Sequence, residues 1–292
     1  MSISESLAAT ATARPSRHES FVAYERFRFL KWAAALAIAS IIVYIADRPY
    51  GTRYGGSWAG YTLGTIGALL ILWLTGFGLR KRGYATDHGR LAARLSAHVY
   101  LGLSLLIVAT LHTGFHFGWN VHTLAYALMC IVIASGAFGT FAYVRYPRLM
   151  TENRGGLTTQ QMLGRIASAN EELRRAAMPL DDRSAAIVER AVESNQVGGS
   201  AWRQLTGRYP NCGTAAALTG LHATARDMPA AIEDAHRRVL VLLADKASLL
   251  AQLRRDVAYK AAIEVWLYCH VPFTFALLAA LLAHIVSVFF LW

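Results

Sequence analysis

Five long apolar segments divide this chain of 292 residues and restrict the class of fold that it can adopt. Each segment is long enough to cross the roughly 30 Å hydrocarbon core of a bilayer as a helix. Hydrocarbon offers no water to backbone N–H and C=O groups, so the crossing segments have to be helical. The composition agrees with an integral membrane protein, since 55% of the residues are hydrophobic and 16% are charged. The predicted spans are Phe29–Ala46, Trp58–Leu79, Leu95–Phe117, Thr123–Val144 and Ile263–Trp292.

The distribution of Lys and Arg predicts how these spans are oriented. Basic residues concentrate before the first span, between the second and third, and after the fourth, and five crossings put these three regions on one side. Short cytoplasmic loops carry an excess of Lys and Arg. We therefore expect a multi-pass protein of the cytoplasmic (inner) membrane, with its N-terminus inside and its C-terminus outside. The basic residues are Arg14, Arg17, Arg26, Arg28, Lys31, Arg80, Lys81, Arg82, Arg90, Arg94, Arg145 and Arg148.

The net charge of +11 does not indicate a nucleic-acid-binding protein. The polar segment 150–259 holds 14 Lys and Arg against 12 Asp and Glu, so most of the excess flanks the spans and faces membrane lipid. The three cysteines form no CxxC or CxxCH pattern, which argues against an iron–sulfur site and against covalent haem attachment.

The polar segment 150–259 separates the fourth span from the fifth, so the sequence predicts four regions in the chain. Residues 1–28 form a cytoplasmic tail, 29–149 the first four spans, 150–259 a helical cytoplasmic insertion, and 260–292 the fifth span. An insertion of about 110 residues is too long for a simple connection. We interpret it as a small helical module that could dock a redox partner.

Periodicity and capping residues predict the helices of the insertion. Thr158–Ala177 and Asp182–Ser194 read as helices, Gly198–Gly213 as a loop, and Ala230–Val271 as one long helix that continues into the fifth span. We expect the long helix to pack antiparallel against Thr158–Ala177. His222 and His236 read as ordinary residues on polar helix faces.

Four histidines within the spans predict the chemistry. His98 and His112 lie 14 residues apart on the third span, and His270 and His284 repeat this spacing on the fifth. Fourteen residues return to within about 40° of the same helix face and rise about 21 Å. Ionisable residues inside a membrane usually mark function. Two helices with such pairs can hold two stacked haems, each iron bound by one imidazole from each helix.

The predicted topology makes the third and fifth spans parallel, so residues at like depth pair. His98 then pairs with His270 near the cytoplasmic side, and His112 pairs with His284 near the outer side. His116, which would share the face of His98 in a continuing helix, is the alternative to His112 as outer ligand. His122 reads as an interfacial residue.

Glycine stripes on two of the spans indicate helix packing. Gly60, Gly64 and Gly67 lie on the second span, and Gly136 and Gly139 on the fourth. Small residues let membrane helices approach each other closely.

This histidine pattern resembles that of the diheme membrane cytochromes b, in particular the transmembrane core of the ferric reductase and NADPH oxidase group. In that group paired histidines lie on the third and fifth helices. The resemblance covers about 180 residues and rests on His98, His112, His270 and His284. It implies an all-α bundle of five transmembrane helices that binds two haems b through these residues.

The expected function is electron transfer across the membrane as one subunit of an oxidoreductase complex. No flavin, nicotinamide or iron–sulfur motif is seen in the sequence, so the expected partners are redox subunits that carry flavin or iron–sulfur centres, or a cytochrome c. Two alternatives stay open. One is a quinol dehydrogenase or quinone reductase module with a quinone as a further cofactor, and the other is a haem-bearing sensor or membrane anchor.

Overall fold

A computed structural model describes residues 21–47, 55–80, 88–224 and 232–290 of the chain. Most of the predicted N-terminal tail lies outside the described residues. The described chain is helical and contains no strand. It forms two compact units, one of Met1–Ala137 with Pro272–Trp292 and one of Phe138–Val271.

Nine α-helices follow a short 3-10 helix, Phe21–Ala23, in the described chain. They are α1 (Tyr24–Ala46), α2 (Trp58–Arg80), α3 (His88–Thr113), α4 (Val121–Arg154), α5 (Thr159–Ala177), α6 (Asp182–Glu193), α7 (Ala201–Thr206), α8 (Gly213–Thr224) and α9 (Glu233–Phe290). The division between the two units falls within α4 and within α9.

Five of these helices, α1 to α4 and α9, are long and apolar enough to cross a membrane. Each of them overlaps one of the five predicted spans, so the prediction of a helical multi-pass membrane protein is confirmed at this level. The third helix ends at Thr113 rather than at the predicted Phe117. Large apolar side chains such as Trp32, Ile42, Leu69 and Leu282 are exposed on these helices. Such exposure is what helices that face lipid require, because the bilayer is as apolar as a protein core.

The core of the first unit is a small apolar cluster that four helices build. Ile71 and Leu74 of α2 pack with Leu105 of α3, Met129 of α4 and Leu277 of α9. The third helix also packs against α1 and α2. Leu105 and Leu277 lie seven residues before His112 and His284, so this cluster packs α3 and α9 together about two turns from these histidines.

The second unit begins its helices where the sequence supplies caps. The Thr158 hydroxyl accepts the N–H of Gln161, while the Gln161 side chain accepts the N–H of Thr158. This reciprocal pair satisfies two donors at the start of α5. Asp181 caps α6 by accepting the N–H groups of Arg183 and Ser184. The predicted helices at 158–177 and 182–194 are confirmed to within a residue or two at each end.

The predicted antiparallel hairpin is also present in this unit. Met162 and Ile166, near the start of α5, pack with Leu250 and Leu253 of α9. Leu173, near the end of α5, packs with Val239 and Leu243, which come earlier in α9. Contacts that run in opposite order along the two helices mean that they are antiparallel.

Two expectations for the insertion are wrong in part. The predicted loop 198–213 contains the six-residue helix α7, which the Ser200 side chain caps. His236 is 3% exposed rather than on a polar face, and its Nε2 atom hydrogen-bonds to the carbonyl oxygen of Leu221 at 3.1 Å.

The long helix α9 runs unbroken through Pro272 from Glu233. The predicted start at Ala230 lies outside the described residues.

Candidate functional site

The structure brings together the two histidines that the sequence assigns to the outer position. His112 lies in the last turn of α3 and His284 in the last two turns of α9, both in the first unit. Their ring centroids are 5.9 Å apart and their planes are perpendicular. Two helices far apart in sequence therefore direct imidazoles to one place.

A backbone carbonyl fixes the ring of His112. The Nδ1 atom of His112 lies 2.7 Å from the carbonyl oxygen of Gly60 on α2. A carbonyl only accepts hydrogen bonds, so Nδ1 carries the proton and the neutral ring keeps its lone pair on Nε2. A histidine that binds a metal through one nitrogen commonly donates from the other to such a group.

The N-terminal turn of α2 is itself held in place by its neighbours. The Ser57 hydroxyl donates to the buried carboxylate of Asp47 at 2.6 Å, and the N–H of Gly60 donates to the Ser57 oxygen at 3.0 Å. Ser57 thus caps the helix that presents the Gly60 carbonyl to His112.

Glycine is required where α2 meets this imidazole. A Cβ atom built on Gly64 would lie 2.7 Å from Cε1 of His112, whereas one on Gly55, before the start of α2, would lie at an ordinary contact distance of 3.5 Å from the same atom. A Cβ on Gly67 would instead make ordinary contacts with Leu105 and Val108 of α3. The predicted packing stripe is therefore present. Two of its members also position His112, Gly60 through its carbonyl oxygen and Gly64 by leaving space for the ring.

His122 is a member of the site that the sequence did not identify. Its Nδ1 atom hydrogen-bonds to Nδ1 of His284, and the two ring centroids are 4.5 Å apart. The residue lies in the first turn of α4. The sequence indicated only an interfacial position for it. The bond occupies the Nδ1 side of His284 and does not involve its Nε2 atom.

His116, the alternative to His112, lies beyond the end of α3. The helix ends at Thr113, and Phe115 has a left-handed backbone with φ of 63°. His116 is exposed in this turn. The continuing helix that would put it on the face of His98 is not formed.

The inner histidines, His98 and His270, belong to different units. In the first unit His98 is half-buried on α3. In the second unit His270 is half-buried on α9, and its ring centroid lies 5.3 Å from that of Trp266 with the two rings tilted by 35°. Gly139 of α4 lies directly against the Trp266 indole, where a Cβ atom would overlap it. The pairing of His98 with His270 stays a prediction.

The donors that converge here are imidazoles from α3, α4 and α9. Within the described parts of the chain, no group of three or more His, Cys, Asp and Glu side chains is arranged to hold a metal ion. Haem needs only two axial ligands from the protein. His112 and His284, on two different helices, would be the residues that hold such a group.

Comparison of the chain with protein-family models, with curated proteins and with solved structures finds no match. The case for a function therefore rests on the arrangement of this chain's own residues.

Proposed function

We propose that this protein is a membrane cytochrome b subunit that transfers electrons across the membrane through two bis-histidyl haems b. The observation that carries the proposal is the convergence of His112 and His284 from two apolar helices. Each ring uses Nδ1 for a hydrogen bond within the protein. A ring whose Nδ1 carries the proton keeps the lone pair of Nε2 for iron. Imidazoles that are held in this way inside a membrane usually serve a function.

The protein's contribution is to hold and orient the ligands. Gly60 sets the ring of His112, His122 sets that of His284, and Gly64 leaves the space that the first ring occupies. Haem, when bound, supplies the one-electron redox chemistry. Haem held by His112 and His284 would supply electron transfer rather than oxygen activation.

The second haem rests on the repeated spacing. His98 precedes His112 by 14 residues on α3, and His270 precedes His284 by 14 on α9. Both helices are continuous between their two histidines. An inner haem held by His98 and His270 would give electrons two steps through the hydrocarbon instead of one.

The Lys and Arg distribution supports an orientation for this path. In the proposed topology the protein lies in the inner membrane with its N-terminus and the insertion in the cytoplasm and its C-terminus outside. Redox subunits or a quinone then exchange electrons with the haems at the two surfaces. The insertion is proposed as the docking module for the cytoplasmic partner.

Electron flux in vesicles tests the function. We expect purified protein in liposomes to pass electrons from external dithionite to ferricyanide trapped inside. The His284→Ala variant should lose this flux, because the outer haem is a required step. His116→Ala is the matched control and should keep it, since His116 lies outside the site. Wild-type protein that holds haem but passes no electrons would contradict the proposed function.

A further inference from the structure

The connection between α6 and α8 lies at the end of the second unit that is nearest the predicted spans. Early in α9, His236 hydrogen-bonds to a carbonyl group of α8. Further along α9, Arg254 donates to the carbonyl oxygen of Gln196, which follows α6, and to Sγ of Cys212, which precedes α8. Since α9 continues from Arg254 into the fifth span, the connection 197–211 lies at the end of the unit that faces the membrane.

The distance along α9 puts this connection within reach of a membrane surface. Arg254 lies nine residues before Ile263, where the predicted fifth span begins, and nine helical residues rise about 14 Å. Both residues belong to the second unit. The headgroup layer outside the hydrocarbon is about 5–8 Å thick. The gap that remains, about 6–9 Å, is no longer than the six-residue helix α7 within the connection.

The connection exposes one large aromatic side chain and two cations. Trp202 of α7 is 75% exposed, and Arg203 and Arg208 are exposed as well. None of the ion pairs in the described part of the chain involves either arginine. The connection 197–211 holds no Asp or Glu, whereas the connection 178–182 at the opposite end of the unit holds two Asp and no Lys or Arg. The two connections therefore carry opposite charge.

Hydrogen bonds fix α7 in the position that exposes these side chains. The Ser200 side chain caps the helix, and the Gln204 side chain donates to the carbonyl oxygen of Gly199 at 2.7 Å. The helix ends at Gly207, which has a left-handed φ of 62°. The N–H of Gly198 donates to the Tyr209 hydroxyl at 3.2 Å. The exposed indole therefore belongs to an ordered helix.

We propose that α7 contacts the anionic headgroups of the membrane that α4 and α9 cross. Trp202 lies at the headgroup level, as tryptophans at membrane interfaces do. Arg203 and Arg208 bind lipid phosphates, and each basic side chain near an anionic surface strengthens association by about fivefold. The contact fixes the base of the insertion against the membrane. It uses no residue of the histidine site, so it does not depend on haem.

Hydrogen exchange of the full-length protein in lipid nanodiscs tests the contact. One preparation contains phosphatidylcholine alone, and the other contains equal parts of phosphatidylcholine and phosphatidylglycerol. We expect the amides of 201–208 to exchange at least about fivefold more slowly with the anionic lipid. The amides of 178–182 are the internal control and should exchange alike in both. Equal exchange of 201–208 in the two lipids would overturn the proposal.

Charge variants test the role of the two arginines in the same assay. Arg203→Gln combined with Arg208→Gln should abolish the slowing by anionic lipid, because the cations that attract the phosphates are gone. Arg183→Gln is the matched control, since Arg183 is exposed next to the opposite connection, and it should keep the slowing. Slowing that survives in the double variant would contradict the assignment of these arginines.

A second measurement asks whether lipid itself touches α7. Lipid that is brominated near the headgroup quenches tryptophan emission on contact, and the difference between the wild type and Trp202→Phe isolates the emission of Trp202. We expect this emission to be quenched in brominated nanodiscs that contain phosphatidylglycerol. Unquenched Trp202, or slow exchange that appears only after a soluble protein is added, would overturn the proposal and assign α7 to protein docking.

Discussion

The two units of this protein arrange polar side chains in their interiors differently. In the first unit three half-buried histidines converge, since His112, His284 and His122 meet at the ends of three helices. In the second unit they are dispersed as ties between helices. His236 binds Leu221, Lys246 binds Ala191, and Asp256 binds Arg154 and Asn153.

This difference separates a site from a scaffold. Each tie of the second unit joins two groups of the protein itself, as is ordinary for buried polar groups. His112 and His284 of the first unit are hydrogen-bonded through Nδ1, and in our proposal their Nε2 atoms bind haem iron. A ligand site needs side chains that the protein orients and whose binding atoms stay available for the ligand.

Removal of an outer ligand is expected to have the largest effect. His284→Ala or His112→Ala should lower the haem content from two to one per chain, measured by the pyridine haemochrome assay against protein. His98→Ala or His270→Ala should remove the other haem. His116→Ala should retain both. If all four variants kept an unchanged haem content, these histidines would not be haem ligands. The first unit would then not differ from the second by holding a ligand site.

Loss of a tie should destabilise the second unit without touching the haems. Asp256→Ala leaves Arg154 without its buried partner and should lower the free energy of local unfolding by about 3 kcal/mol, measured by hydrogen exchange across α5 and α9. Glu152→Ala removes only the exposed pair with Arg148 and should cost about 0–1 kcal/mol. Loss of haem in the Asp256 variant would show that the second unit also supports the site.

A single methyl group on α2 should disturb the outer ligand. In Gly64→Ala the added Cβ collides with the His112 ring, so haem affinity at the outer position should fall by about tenfold or more. Gly76→Ala on the same helix meets nothing within 4 Å and is the matched control. Haem retention and redox titration compare the two variants. Equal behaviour would mean that Gly64 serves helix packing alone.

Loss of the hydrogen bond to His284 should have the smallest effect. His122→Ala should keep both haems in a fresh preparation but change the low-spin electron paramagnetic resonance signal of one of them, because the His284 ring is no longer oriented. His122→Asn restores a hydrogen-bonding group and should recover part of the wild-type signal. An unaltered spectrum in His122→Ala would assign this contact to packing.

Hydropathy predicted the five membrane helices well, because long apolar segments have few alternative structures. The positions of His112 and His284 also followed from sequence, since a 14-residue spacing defines a helix face. The role of His122 did not follow, because its partner lies 162 residues away. Nor did that of Gly64, since a packing stripe does not reveal which side chain it receives.

Short helices and buried polar residues limited the prediction of the second unit. The six residues of α7 are too few for a periodic pattern. For His236 and Lys246 a signal was present, since they share the repeat of Val239, Leu243 and Leu250 on α9. His236 was assigned to a polar helix face because of its residue type, although its spacing pointed to the core.

The most direct test of the account is the haem content of the unaltered protein. Full-length protein purified in mild detergent should contain two non-covalent haems b per chain, and its oxidised spectrum should show low-spin iron with two histidine ligands. Protein that is folded and helical but binds no haem, or that binds it as high-spin iron with one histidine, would contradict the central claim.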